Sequence, residues 1–307
     1  MMKSLLKLSD LTPLELEEIV KMSEDIKRRL KAERHLDILR GKVIGLLFEK
    51  PSTRTRVGFE SASVRLGGDV LYLSPSELQI KRGEPLKDTA RILGRYLDVL
   101  VMRVNSHSTL EEFKAWAGIP IINALSDLTH PTQAISDLLT ILETKGRFKD
   151  LKLAYIGDGN NVCHSLIFAS ALTGMHIHVA CPKKYYPNTK ILEEAHAIAK
   201  TSGASIEVTT SPQDALRDAD VLYTDTWVSM GEEAKKEEKV QEFKGYQLND
   251  ELLKYAKKDA IVMHCLPAYR GYEITDELIE GERSVVWQQG ENKMYGAAAV
   301  LAFVLAK

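Results

Sequence analysis

Short runs of β-branched and aliphatic residues alternate with longer runs whose apolar residues recur at three- and four-residue spacing, along almost the whole chain. That alternation is the signature of a parallel α/β architecture. The first helix has a defined start: Thr12, Pro13 and Glu15 fit an N-cap, a first-turn proline and a capping-box glutamate. Leu14, Ile19, Val20, Ile26 and Leu30 supply its apolar face. Strands are predicted at Val43–Phe48, Val70–Leu73, Val99–Arg103 and Ile119–Asn123. Helices are predicted at Thr55–Leu66, Pro85–Tyr96, Leu110–Trp116 and Pro131–Thr144.

After Gly146 the pattern restarts. Strands are expected at Leu151–Ile156, His176–Cys181, Ser205–Val208, Val221–Thr224, Ala260–His264 and Val285–Trp287. Helices are expected at Val162–Thr173, Thr189–Thr201, Asp214–Ala219, Asn249–Lys257 and Asp276–Glu280, with a buried helix over Met294–Ala306. The predicted fold is α/β: two similar doubly wound parallel-sheet domains, residues 1–146 and 147–290, with the active site in the cleft between them. The C-terminal helix, 291–307, is expected to pack back on the first domain. The segment Glu232–Lys244 stands apart, with nine of 13 residues charged. It reads either as a solvated helix face or as a mobile flap.

Composition narrows the function classes. With 307 residues the chain is long enough for about two domains. A net charge of −2 argues against a dedicated nucleic-acid binder. Three cysteines without close spacing point away from a disulfide framework and towards a reducing compartment. The N-terminus has no signal-peptide pattern, and the longest apolar stretch falls short of the ~20 residues of a membrane span. The expectation is a cytoplasmic protein with neither nucleic-acid nor membrane partners.

Open parallel sheets bind ligands beyond the carboxyl ends of their strands, and the residues found there carry chemistry. Ser52-Thr53-Arg54-Thr55 follows the first strand and opens a helix, where free N–H groups, hydroxyls and a guanidinium make an anion site. The same serine or threonine also fits a plain helix cap. Arg103 ends another strand. His130-Pro131-Thr132-Gln133 opens a helix where His130 and Gln133 either donate to a substrate oxygen or serve as cap neighbours. Gly157-Asp158-Gly159-Asn160-Asn161 superficially resembles a dinucleotide fingerprint. Val162 replaces its third glycine, however, and the next strand lacks a ribose-binding acid, which argues against a nicotinamide cofactor. Asp225 suits an amine or an Asx-turn. Cys265 follows His264 and reads either as a core residue or as part of the site. The eight histidines show no recurring ligand spacing, so no metal is expected. Anion-handling groups come from the first half and amine-handling groups from the second, which points to two substrates, one of them phosphorylated.

In their order and spacing, the strings STRT, HPTQ, DGNN, an aspartate followed by SMG, and HCLP resemble the ornithine carbamoyltransferases over essentially the whole chain. The resemblance implies transfer of the carbamoyl group of carbamoyl phosphate to the δ-amine of L-ornithine, giving L-citrulline and phosphate, without a cofactor. It implies that Ser52, Thr53, Arg54 and Thr55 bind the phosphate, and that Arg103, His130, Pro131, Thr132 and Gln133 surround the carbamoyl oxygens. Gln79 would reach carbamoyl phosphate in a neighbouring subunit of a homotrimer or of an assembly of trimers. Asn161, Asp225, Ser229 and Met230 would hold the amino-acid end of ornithine. Cys265 and Leu266 would line the reacting centre. Of these, Arg103, His130, Gln133, Asp225 and Cys265 are the expected catalytic set.

Two positions depart from the family pattern. Lys293 stands where the resemblance places an arginine that contacts the carbamoyl group, in Glu-Asn-Arg; it is expected to bind carbamoyl phosphate there, keeping the charge without the planar fork. Tyr269 replaces a histidine commonly seen after HCLP. The rival readings are carbamoyl transfer to aspartate or putrescine, and a catalytically silent relative. The complete STRT, HPTQ and HCLP strings argue against the last.

Overall fold

The computed structural model describes residues 3–228, 234 and 236–305. The chain divides into two compact units, Met1–Leu139 with Glu291–Lys307, and Thr140–Gly290.

The first unit holds α1 (Pro13–Glu33), β1 (Val43–Phe48), α2 (Thr53–Arg65), β2 (Asp69–Leu73), α3 (Leu86–Tyr96), β3 (Val99–Arg103), α4 (His107–Trp116) and β4 (Ile121–Leu125). It also takes most of α5 (Pro131–Lys145) and of the last helix, α12 (Val286–Leu305), since the division falls within both. Its four strands lie in the order β2-β1-β3-β4, all parallel. Every residue of β3 is buried, as expected for an inner parallel strand. The capping box read from Thr12 and Glu15 is present: Thr12 accepts from the Glu15 N–H at 3.2 Å, and Glu15 accepts from the Thr12 N–H at 2.8 Å.

The second unit holds β5 (Lys152–Ile156), α6 (Asn161–Thr173), β6 (His176–Ala180), α7 (Thr189–Ser202), β7 (Ile206–Thr209), α8 (Pro212–Leu216), β8 (Val221–Thr224), α9 (Lys236–Glu242), α10 (Asp250–Leu253), β9 (Ile261–His264) and α11 (Asp276–Glu280). Its five parallel strands run in the order β7-β6-β5-β8-β9. In each sheet the winding reverses once, between β1 and β3 in the first and between β5 and β8 in the second. Both sheets are parallel and both units are α/β, as the alternating pattern predicts.

Three expectations are corrected. Val285–Trp287 is not a strand: Val285 donates to the Val262 carbonyl at 3.0 Å in a single bridge region, and α12 begins at Val286. Three apolar residues do not distinguish a strand from a helix start. The helix expected over Asn249–Lys257 stops after one turn, because Tyr255 and Lys257 bond instead to Asp218 and Ala219 at the approach to β9. The fourth strand begins at Ile121 rather than Ile119, after Pro120, which has no N–H for the ladder. No helix among the described residues is long and apolar enough to cross a membrane.

Helix α12 seats on α5 through a glycine. A Cβ at Gly296 would lie 2.4 Å from Ser136 Oγ and 3.3 Å from its Cα. Lys27 of α1 adds a buried hydrogen bond to Asn292 at 2.7 Å. We therefore expect Gly296→Ala to lower the melting temperature, at a cost of roughly 1–3 kcal/mol from overpacking. Gly290→Ala is the control in the same helix. Its added carbon meets nothing within 4 Å, and it should be neutral or stabilising by up to about 1 kcal/mol. Thermal unfolding of the two variants checks both.

Candidate active site

In the first unit the anion-handling residues gather where the winding reverses. β1 and β3 end side by side, with Phe48 paired to Arg103. Ser52 occupies the N-cap position of α2, but its side chain makes no capping hydrogen bond, and the first turn carries no acidic residue. The hydroxyl is thus not used as the plain cap that the sequence allowed. The first-turn N–H groups, the Ser52 and Thr53 hydroxyls and the Arg54 guanidinium share one helix start, and Thr55 is buried one position on. Arg56 is directed elsewhere: it bonds Glu60 at 2.9 Å and lies 3.4 Å over the Tyr72 ring.

Arg103 is buried at the end of β3. His130 is also buried, just before Pro131 opens α5, with Thr132 and Gln133 buried in the first turn. Asn123 braces this approach, donating to the Thr129 carbonyl at 3.2 Å and its hydroxyl at 3.1 Å. A polar residue inside the apolar run Ile121–Leu125 is its signal in the sequence. Burial pushes the His130 pKa well below its usual value, and the nearby charges of Lys293 and Arg103 push it the same way. The imidazole is therefore neutral at neutral pH. Gln133 is not a capping-box partner. Its amide oxygen accepts from Lys293 at 2.5 Å, and its amide nitrogen donates to Asp137 at 2.8 Å. Gln79 is exposed in a short 3-10 helix, Gln79–Arg82.

In the second unit, β5 and β8 end side by side at their own reversal. The turn after β5 needs Gly159, where a Cβ would sit 2.4 Å from the Tyr185 carbonyl. Asn160 then caps α6: its side-chain oxygen accepts from Val162 at 3.0 Å and Cys163 at 3.1 Å. Its amide nitrogen is thereby turned outwards and donates to Asp225 Oδ2 at 2.8 Å. Asp225 Oδ1 accepts from the Thr226 N–H at 2.8 Å and from the Cys265 thiol at 3.0 Å. The structure thus brings Asp225 and Cys265 together. Asn160 is bonded to Asp225, and Asn161 begins α6 half-buried. Ser229 and Met230 lie outside the described residues.

His264 organises the HCLP segment. Its Nδ1 accepts from the Leu266 N–H at 2.9 Å, so the ring proton is on Nε2, facing Glu273 at 3.1 Å. Leu266 is held at φ +57°, in the left-handed region that costs a non-glycine residue roughly 1–3 kcal/mol. Asp225, His264 and Cys265 offer ligand atoms within 4.8 Å of one another. Both imidazole nitrogens are already engaged, so a metal there would have to displace one of those bonds. Of the segment 232–244, the described part is mostly α9, exposed except at Lys239, Val240, Glu242 and Phe243. Lys239 is buried on Asp158 at 2.6 Å, an inward charge that charge counting along the chain did not single out. All three cysteines are free and buried. Burial pushes the Cys181 thiol up to about 12 and the Cys163 thiol upwards as well.

The His130 environment gives a signed pH dependence. The unfolded chain takes up a proton near the usual histidine value and the folded site does not, so this stability is lost as pH falls below about 6.5. The loss approaches about 1.4 kcal/mol per pH unit. Thermal unfolding from pH 7 to pH 5 should therefore show a smaller decline in His130→Asn than in the parent chain.

Known proteins match over the whole length. The carbamoyl-P binding domain of aspartate/ornithine carbamoyltransferase matches residues 3–143, and the Asp/Orn binding domain of the same family matches 149–304. The ornithine carbamoyltransferase of Archaeoglobus fulgidus is 50% identical over 306 residues, covering 100% of this chain and 98% of that protein. The solved ornithine carbamoyltransferase from Pyrococcus furiosus is 46% identical with a TM-score of 0.96, covering 99% of this chain and 97% of the other. The anabolic enzyme from Campylobacter jejuni is 44% identical with a TM-score of 0.92, covering 99% of each chain. With both of its units matched in order, this chain belongs to the aspartate/ornithine carbamoyltransferase family.

Proposed function

We propose that this chain transfers the carbamoyl group of carbamoyl phosphate to the δ-amine of L-ornithine, releasing L-citrulline and phosphate. The observation that carries the reading is the full-length 50% identity to an ornithine carbamoyltransferase. The two residue clusters support it chemically, one rich in anion donors and one built on the Asp225 carboxyl.

In this reading Ser52, Thr53, Arg54 and Thr55 receive the phosphate at the start of α2. Arg103, His130 and Gln133 face the carbamoyl oxygen, with Lys293 bonded to the Gln133 amide, and Pro131 and Thr132 shape that turn. Asn161 and Asp225, with Ser229 and Met230, hold the amino-acid end of ornithine. The neutral δ-amine forms the new C–N bond. Charge developing on the carbamoyl oxygen is stabilised by Arg103 and the neutral His130. The bond to the phosphate oxygen then breaks, phosphate leaves towards Arg54, and the nitrogen passes its extra proton to the departing phosphate. Cys265 and Leu266 line the reacting centre, with the thiol orienting Asp225. No covalent enzyme intermediate is needed, and positioning of two substrates supplies much of the rate. Because the amine must be neutral, activity rises with pH above neutrality. The reading includes work in the cytoplasm, and self-association as a homotrimer in which Gln79 serves a neighbouring subunit. Sedimentation of the purified protein tests the trimer.

The activity itself is tested by colourimetric ureido detection with carbamoyl phosphate and ornithine, aspartate or putrescine in parallel. Product with ornithine alone is expected; product only with another amine overturns the second-substrate half. His130→Ala should lower kcat by roughly 10²–10³-fold, the usual cost of removing one oxyanion donor. Cys265→Ser should lower turnover while leaving carbamoyl phosphate binding nearly intact, and loss of that binding would reject its assigned place.

A further inference from the structure

Gln133 sits between two charged-type side chains that use opposite ends of its amide. Lys293 Nζ lies 2.5 Å from Oε1, and Asp137 Oδ1 lies 2.8 Å from Nε2. We propose that Lys293 and Asp137 are positioning residues which act through Gln133 and fix which end of its amide faces the carbamoyl group. This rests on the carbamoyl-transfer reading above.

The two ends of a glutamine amide are nearly the same size, so packing alone does not choose between them. Here the choice matters. A Gln133 N–H stabilises negative charge growing on a carbonyl oxygen, whereas the flipped amide would bring its own oxygen against that charge. An ammonium donates and never accepts, so Lys293 can face only the amide oxygen. The nitrogen is then left facing Asp137, one helical turn further along α5. One N–H of that nitrogen is used by Asp137 and the other remains for substrate. Both α5 residues are fully buried, Gln133 at 1% and Asp137 at 0% exposure, so water offers little competition for either bond. The frame on the other side is equally fixed. Lys293 rides on α12, which Gly296 seats against Ser136 of α5 and which Asn292 ties to Lys27 of α1. In this arrangement Lys293 acts on the substrate through the amide it orients, and the single-nitrogen head of lysine suffices for that task. This gives the departure from the usual arginine a physical role.

The test is a double-mutant cycle on kcat and KM with Lys293→Met, Asp137→Asn and the double variant. Each partner alone still biases the amide, so each single change should lower kcat several-fold and move the KM for carbamoyl phosphate less. Losing both frees the amide to flip, and the double variant should fall about tenfold below the product of the two single effects, within the range of coupling seen for groups sharing a partner. Repeating Lys293→Met and Asp137→Asn in a Gln133→Ala background separates this from a direct role: each should then cost less than about twofold further. Additive losses in the first cycle, or undiminished losses without Gln133, overturn the inference. If Asp137→Asn does not fold, the Lys293→Met and Gln133→Ala pair alone decides it by the same criterion. A parent chain that makes no citrulline fails the functional reading; an active parent with an additive cycle fails this inference only.

Discussion

A parallel sheet wound in both directions has one place where consecutive crossovers leave on opposite sides, and the carboxyl ends of two adjacent strands lie open there. The start of α2, Arg103, the Asn160 turn and Asp225 all sit where that constraint puts them. In the first unit the place lies between β1 and β3, and it receives the start of α2 and Arg103. In the second it lies between β5 and β8, and it receives the Asn160 turn and Asp225. The sheets supply rigidity, because their inner strands are buried along their length. The loops supply the donors and acceptors.

What keeps those loops in place is polar bonding with every end specified. Asn160 spends its oxygen on the α6 cap, which leaves its nitrogen for Asp225. His264 spends Nδ1 on the Leu266 backbone, which leaves Nε2–H for Glu273. Gln133 spends its oxygen on Lys293 and its nitrogen on Asp137. In each case one bond determines the direction of the next. Buried networks satisfied in this way hold side chains to a single orientation, which is what a site relying on positioning requires.

The sequence made the fold legible where signals were local. The Thr12–Glu15 box and the apolar strands each announce themselves within a few residues. It failed where tertiary bonds decided the outcome, as at Asn249–Lys257, or where three apolar residues fit either structure, as at Val285–Trp287. For the site, the strand ends pointed to Arg103 and the start of α2, which lie at the ends of paired β3 and β1, and to Asp225 and Cys265, which are hydrogen-bonded. The resemblance named Asn161; that its neighbour Asn160 caps α6 and bonds Asp225 depends on the turn that precedes the helix. Asp137, Asp158, Lys239 and Glu273 stayed hidden for a different reason. They look like ordinary helix or loop charges until the fold buries each against a partner distant in the chain or one turn away.

The central claim is a division of labour, with the anion handled by the first unit's cluster and the amino acid by the second's. Calorimetric titration of carbamoyl phosphate into the parent chain, Arg54→Ala and Asp225→Asn tests it most directly. Removing a charge-assisted phosphate contact should weaken binding in Arg54→Ala at least about tenfold, while Asp225→Asn should bind within about twofold of the parent. Equal losses in both variants, or a loss confined to Asp225→Asn, would contradict the account.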